Sequence, residues 1–362
     1  MSPVTMAAAP LCGKADTLAA TGSPRALLIA DSDIPTTRLL AAELRQGFAG
    51  LELKIAPDIF GAAVDDRPVI VSRLCYPRYS WLPARLATQG RRYAYFIDDN
   101  FWEITPAIDP RLARFFRHPA TRDALDAFVR HAAVVLTWSK PLRDFVAARF
   151  ADARVECVAP GFDVARADAL YRRTGAATVA SDDVVRIGYP TTPRPGVSPL
   201  IVPVVEHFLR ARGQAVRFEF IGWLPEALDG LPNVTFHPWI ADYDRYLEFT
   251  IGRRWHIGIA PLAGDAFERY KTDNKYREYG GCRIPGVYSD VSPFREAVEE
   301  ARTGLRVANS PQAWIAALER LIDCPPLRAA IADAAFDDVA RHHDLRSTGR
   351  RLAQVVSSAL VR

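Results

Sequence analysis

Positive charge in this 362-residue chain is carried almost wholly by arginine, 41 residues against five lysines. Two of the five, Lys271 and Lys275, stand four residues apart just ahead of Glu278 in the stretch FERYKTDNKYREYGG. The stretch follows the apolar run WHIGIAP (255–261), and Asp273 or Thr272 is placed to cap a helix running to about Tyr279. On such a helix Lys275 and Glu278 share a face, with Lys271 in the loop before it. Ammonium groups beside a helix N-terminus add to its unpaired N–H groups and its dipole, which makes an anion site suited to a diphosphate. Glu278, one turn deeper, can accept hydrogen bonds from vicinal hydroxyls such as those of a ribose. The plain alternative is a solvated helix face with an i,i+3 ion pair. Position after a strand and the scarcity of lysine elsewhere favour chemistry.

Other chemistry-bearing residues also follow apolar runs. Asp98 and Asp99 end YAYFIDD, where a carboxylate can orient or deprotonate a hydroxyl; capping or a surface turn accounts for the pair equally well. A metal site is a third reading, without a third ligand to complete it. Gly222 and Trp223 follow VRFEFI, and Trp239 follows NVTFHP, where an indole can stack on a base or sugar; packing is the commoner role. Ser139, after VVLTW, caps the next helix or lines a cleft. The seven histidines show no metal spacing, and His342–His343 reads as a solvated helix end.

The elements that must position these residues alternate regularly. Short β-branched or aromatic runs separated by amphipathic stretches give parallel strands with crossover helices. The first half supplies runs at 26–30, 51–56, 68–73, 93–97, 133–139 and 155–162, the second at 184–189, 216–222, 233–239, 255–261, 284–290 and 305–309. Between them, residues 166–183 are polar and small, without a sustained period, and read as a linker. The expected organisation is a flexible tail over 1–24, an α/β domain over 25–165, the linker, a second α/β domain over 184–343, and a C-terminal helix over 344–362 crossing back to the first. The last two helices are expected to begin at Pro-Pro (325) and at Ser-Thr-Gly (347). In open parallel sheets ligands bind where loops leave the carboxyl ends of the strands, so two facing sheets predict a cleft lined by those loops.

Composition removes several classes. A net charge of +4 without a basic run does not suit a nucleic-acid partner. Five scattered cysteines without C-x-x-C indicate neither a zinc site nor a disulfide framework, and fit a reducing cytoplasm. No apolar run approaches the roughly 18–20 residues of a membrane span, and the N-terminus lacks the pattern of a signal peptide. The turns after the first strand of each half, DSDIPTTR and PTTPRPG, contain no G-x-G-x-x-G, which disfavours a dinucleotide oxidoreductase.

Over roughly 90–325, and most specifically over 255–310, the chain resembles the group 1 glycosyltransferases, which are retaining enzymes of the GT-B fold. An apolar strand ends in Pro and is followed by a K-x-x-E helix, the strand IPGVYSD, then TGLRV and WIAALERL. AVVLTWSKPLRDFV and VECVAPGFD resemble the end of that family's first domain, and YFIDDNFW resembles a segment of a polysaccharide-building branch. The resemblance implies a cytoplasmic, metal-independent transferase with no cofactor beyond a nucleotide-diphosphate sugar, acting on a glycan or lipid-linked acceptor. Glu278 matches the last glutamate of the family's E-x7-E motif, which holds the nucleotide ribose. Tyr270 stands where the first glutamate, the sugar contact, is expected, and Glu268 is close enough to substitute. In the first loop of the second domain, Thr191, Thr192 and Arg194 match the diphosphate-binding segment but without its lysine, so Lys271 or Lys275 would supply that charge. Trp81, Phe115 and Phe116 among arginines suggest peripheral contact with the inner membrane face. Two rivals share these features: a nucleotide-sugar epimerase on the same scaffold, and an inactive GT-B-like binding protein.

Overall fold

The computed structural model describes residues 25–56, 67–106, 108–174 and 184–360. The expected tail and the later part of the expected linker lie outside them. Six strands, β1 (Arg25–Ala30), β2 (Gly50–Ile55), β3 (Val69–Ser72), β4 (Tyr93–Phe96), β5 (Val134–Thr137) and β6 (Val155–Cys157), form one parallel sheet in the order β2-β1-β3-β4-β5-β6. Six more, β7 (Val185–Pro190), β8 (Val216–Ile221), β9 (Val234–His237), β10 (Ile257–Ala260), β11 (Gly286–Ser289) and β12 (Leu305–Val307), form a second in the order β12-β11-β10-β7-β8-β9. Every run read as a strand is one, though several are shorter than the apolar stretch. β3, β4, β5, β10 and β11 are buried along their whole length, as expected of strands covered by helices on both faces.

Each sheet has one place where the strand order reverses. In the first it lies between β1 and β3, in the second between β7 and β10. Loops diverge there, and crevices form outside the strand ends. At the second reversal Gly188 and Gly258 are register partners. A Cβ on Gly188 would lie 1.9 Å from the Trp255 ring, and one on Gly258 would lie 2.7 Å from that of Tyr279. Bare backbone at both positions lets these two rings lie flat on the centre of the sheet.

The chain crosses between the domains twice, side by side. Phe162 donates its N–H to His343 O (2.7 Å), and Leu345 N–H donates back to Phe162 O (3.1 Å). Three local expectations change here. Residues Val164–Arg173, read as linker, form a helix that buries Val164, Ala167 and Leu170 at a spacing of three. The final helix starts at Leu345, ahead of Ser-Thr-Gly, because Asp344 accepts the N–H of Ser347 (3.0 Å) and caps it. His343 is not solvated: its Nδ1 lies 3.1 Å from Pro160 O, and burial lowers its pKa. The final helix, Leu345–Leu360, places Leu352, Ala353, Val356 and Ala359 in the core of the first domain.

Glu43, on the helix Pro35–Arg45, lies wholly inside this junction and accepts the N–H of Gly161. Burial raises its carboxyl from 4.5 to about 7, against the pull of that N–H and of Arg277. The unfolded chain ionises this group near 4.5, so the folded state holds an extra proton between there and about 7. Stability therefore falls as pH rises through that window, by ~3 kcal/mol in full. We predict that Glu43→Gln gains on wild type by up to ~3 kcal/mol between pH 4.5 and pH 8, read from urea unfolding. The same difference at both pH values would show that Glu43 has an ordinary pKa.

Candidate active site

The loops at both reversal points face one another across a cavity of about 400 Å³. On the first-domain side Asp98 and Asp99 follow β4. Asp98 is closed in: Thr36 Oγ1 donates to its Oδ2 (3.0 Å), and the Arg73 guanidinium holds its Oδ1. Asp99 is more open, with Arg73 3.8 Å from one oxygen and Lys271 Nζ 3.3 Å from the other. The environments push the pair apart. Burial raises Asp98, with Arg73 opposing; for Asp99 the same burial is outweighed by Lys271 and Arg73, and its pKa falls.

Lys271 comes from the other domain, so the Lys271–Asp99 pair spans the cleft. Beside it, Thr191, Thr192 and Arg194 follow β7 and line the cavity, as do Lys275 and Glu278 on the helix Asn274–Gly281. Lys275 Nζ lies 2.7 Å from Glu278 Oε2, an oxygen that also accepts from Tyr246 Oη (2.9 Å). Arg194 donates its Nε–H to Thr191 Oγ1 (3.1 Å) and pairs through its NH1 with Glu268. Three cations, Arg194, Lys271 and Lys275, thus line one cavity, each against a carboxylate. Trp239 lines the same cavity with 52% of its surface exposed, open to stacking.

Five residues singled out from sequence do not line it. Gly222, at φ +83, lies beneath: a Cβ there would meet Thr191 O at 2.6 Å and the Trp239 ring at 2.7 Å, so the glycine lets these two approach. Trp223 packs at the margin of the second-domain core. Glu268 is buried, with one oxygen on Arg194 and the other accepting the Gly264 N–H (2.9 Å). Tyr270 turns away altogether. It joins Phe267 in the aromatic core of the first domain, 5.4 Å from the Phe145 ring, while Ser139 Oγ donates to its backbone carbonyl (2.6 Å). Ser139 also caps the helix Lys140–Arg149, so of its two sequence readings capping holds; it does not line the cavity.

Two further expectations are corrected. Asp273 occupies the N-cap position of the Asn274–Gly281 helix, yet its carboxylate does not cap; it accepts from Arg277 Nε instead (2.9 Å). Phe116 is buried, while Phe115 and Trp81 pack against the same core, leaving Arg78, Arg85, Arg111, Leu112, Arg114 and Arg117 among the exposed residues of that surface. Sequence reading missed Arg73, Thr36 and Tyr246. Arg73 directly follows β3 and was reachable by the rule applied to Asp98, whereas the side chain of Tyr246, inside a helix, carries no spacing signal.

Two facing parallel sheets with a charged cleft between their reversal points define the GT-B class. Residues 184–324 match the family model "Glycosyl transferases group 1", so the second domain is a group 1 glycosyltransferase domain. Solved structures share the fold at low identity. HepE of Anabaena, determined with UDP-glucose, is 13% identical with a TM-score of 0.64, over 92% of this chain and 99% of that one. Sucrose-phosphate synthase of Thermosynechococcus elongatus is 15% identical with a TM-score of 0.66, over 93% and 99%. A glycosyltransferase of Rickettsia africae is 12% identical with a TM-score of 0.61, over 94% and 99%. No curated protein matches in sequence.

Tyr270 gives the site its first test. Tyr270→Glu restores the carboxylate expected at this position but puts it in an aromatic core. We predict a loss of about 3 kcal/mol in urea unfolding, from lost ring burial and an unpaired buried acid. Unchanged stability would mean that this loop does not dock on the first domain.

Proposed function

We propose that the protein transfers a sugar, with retention, from a nucleoside-diphosphate sugar to a hydroxyl of a glycan or lipid-linked acceptor, in building a polysaccharide. The observation that carries this reading is the convergence of Arg194, Lys271 and Lys275 in one interdomain cavity, facing Asp99. The three cations take the diphosphate and stabilise the charge that grows on it as the anomeric C–O bond breaks. That role needs no metal ion and no cofactor. Glu278 accepts from the ribose hydroxyls, Trp239 stacks on the base, and Thr191 and Thr192 hydrogen-bond the phosphate oxygens. On the opposite wall Asp99 accepts the proton of the attacking hydroxyl; nucleoside diphosphate leaves as the new glycosidic bond forms. Retention is favoured because Asp99 touches Lys271: the acceptor is activated on the side from which the diphosphate departs.

HepE, determined with UDP-glucose, makes UDP the first nucleotide to test. A ligand that binds only the folded state raises the melting temperature. We predict that one of UDP, GDP, ADP or dTDP does so by a few degrees. Arg194→Ala, Lys275→Ala and Glu278→Ala should each weaken that ligand at least tenfold, about 1.4 kcal/mol. No response to any of the four would overturn the reading, whereas binding without transfer to any acceptor would leave an inactive binding protein.

We also propose cytoplasmic residence with peripheral contact at an anionic membrane face, through Arg78, Arg85, Arg111, Arg114 and Arg117. No helix among the described residues is long and apolar enough to cross a membrane. The protein should sediment with phosphatidylglycerol vesicles but not with phosphatidylcholine, and less as salt rises. Changing Arg111, Arg114 and Arg117 to Glu together should abolish the effect; equal binding to both vesicles would refute it.

A further inference from the structure

The reversal point of the first sheet carries a charge cluster behind the cleft wall. Asp31 follows β1, Arg73 follows β3, and Asp98 and Asp99 follow β4. Arg73 is the cation at its centre. Its side chain is 15% exposed, its guanidinium holds Asp98 and reaches Asp99, and its Cζ lies over the Phe101 ring, 4.8 Å from the centroid. Its backbone adopts φ +59, a left-handed conformation uncommon outside glycine, and its N–H is tied to Phe96 O (2.9 Å). Such conformations persist where surrounding structure over-determines them, and they concentrate at functional sites.

Adjacent carboxylates in a partly buried wall cannot both stay ionised without a fixed counter-charge. Arg73 supplies it from within the first domain, whether or not the donor site is filled. Lys271 supplies it only from across the cleft, and a diphosphate competes for Lys271. We propose that Arg73 is the positioning residue of the acceptor side: clamped to Asp98, it anchors the β4 turn so that Asp99 stands ionised in the cleft once the donor has taken Lys271. The proposal rests on Asp99 acting on the acceptor. It assigns the two aspartates different work: Asp98 fixes Arg73, and Asp99 meets the hydroxyl.

The charged groups that face Asp99 are Asp98 on its own turn, Arg73 after β3, and Lys271 and Arg194 from the second domain; Asp31 and Cys75 face Arg73. Asp99 has a lowered pKa, so removing Arg73 raises it. The acid limb of the pH–rate profile then moves to higher pH, and activity lost in acid returns in base.

Aspartate labelled with ¹³C at its carboxyl, with Asp98→Asn and Asp99→Asn used for assignment, reports the midpoint of Asp99 directly. Arg73→Met should raise that midpoint by at least one pH unit, and Arg73→Lys by less. In parallel, hydrolysis of UDP-glucose, with water as acceptor, should fall about tenfold per unit of that shift at a pH below both midpoints, and under threefold at pH 8.5. The UDP-induced melting shift should stay at the wild-type value. If Arg73→Met does not fold, Arg73→Gln keeps the hydrogen bond without the charge and serves in its place. An unmoved Asp99 midpoint, or a loss of rate equal at both pH values, overturns the proposal. Wild-type protein that binds none of UDP, GDP, ADP and dTDP, or Asp99→Asn that keeps full activity, sinks instead the reading beneath it; if another of the four binds, its nucleotide sugar replaces UDP-glucose.

Discussion

Charge compensation across the cleft is the constraint that orders the rest of this structure. Arg194, Lys271 and Lys275 are too enclosed to stand alone, and each is held by a carboxylate: Glu268, Asp99 and Glu278. A partly buried charge without a partner is costly, so a cleft that waits for an anion must supply its own while empty. Ligand binding there is an exchange of one set of anions for another. A neutral sugar brings nothing to exchange, whereas a diphosphate does. The two lysines fit this role physically. A flexible ammonium is a point charge that can change partners with little reorientation, while a guanidinium fork is fixed by its geometry. Lys271 and Lys275 hold their acids through single contacts, whereas Arg194 is braced on both Thr191 and Glu268.

The same exchange ties the two walls of the cleft together. Asp99 belongs to one domain and Lys271 to the other, so an anion that captures Lys271 also frees Asp99. Further back, the turn carrying Glu268 and Tyr270 is a strut rather than a sugar site. Phe267 and Tyr270 are buried in the aromatic core of the first domain, and Ser139 fixes the Tyr270 carbonyl. Where the family motif places its first glutamate, this chain thus places an interdomain anchor. The acid two residues earlier holds Arg194 from below.

Much of this was legible in sequence because parallel strands announce themselves and their ends are where loops converge. All twelve described strands follow from apolar runs, and Asp98, Asp99, Thr191 and Arg194 follow strands closely. What was not legible depends on which way a side chain turns after the chain has folded. Nothing local distinguishes Tyr270, docked on Phe145, from a residue facing a ligand. His343 reads as polar and exposed until Phe162 and Pro160 close over it. The helix Val164–Arg173 was concealed by its small and charged residues, although its buried positions keep a spacing of three. Arg73 was missed for a different reason. Arginine is so common here that one more at the end of an apolar run carries no signal.

The helix Asn274–Gly281 links the site to the crossover between the domains. One face presents Lys275 and Glu278 to the cavity. The other presents Arg277, which donates to Gly161 O (3.1 Å), and Gly281, whose Cα lies so close to the Phe162 ring that a Cβ would fall 2.1 Å from it. Gly161 and Phe162 are the first crossover itself, and the N–H of Gly161 ends on buried Glu43. A ligand that shifts this helix by a few tenths of an ångström would therefore press on the crossover backbone. Close-packed contacts transmit such shifts rather than absorb them. The cations and the crossover are thus joined by one helix eight residues long.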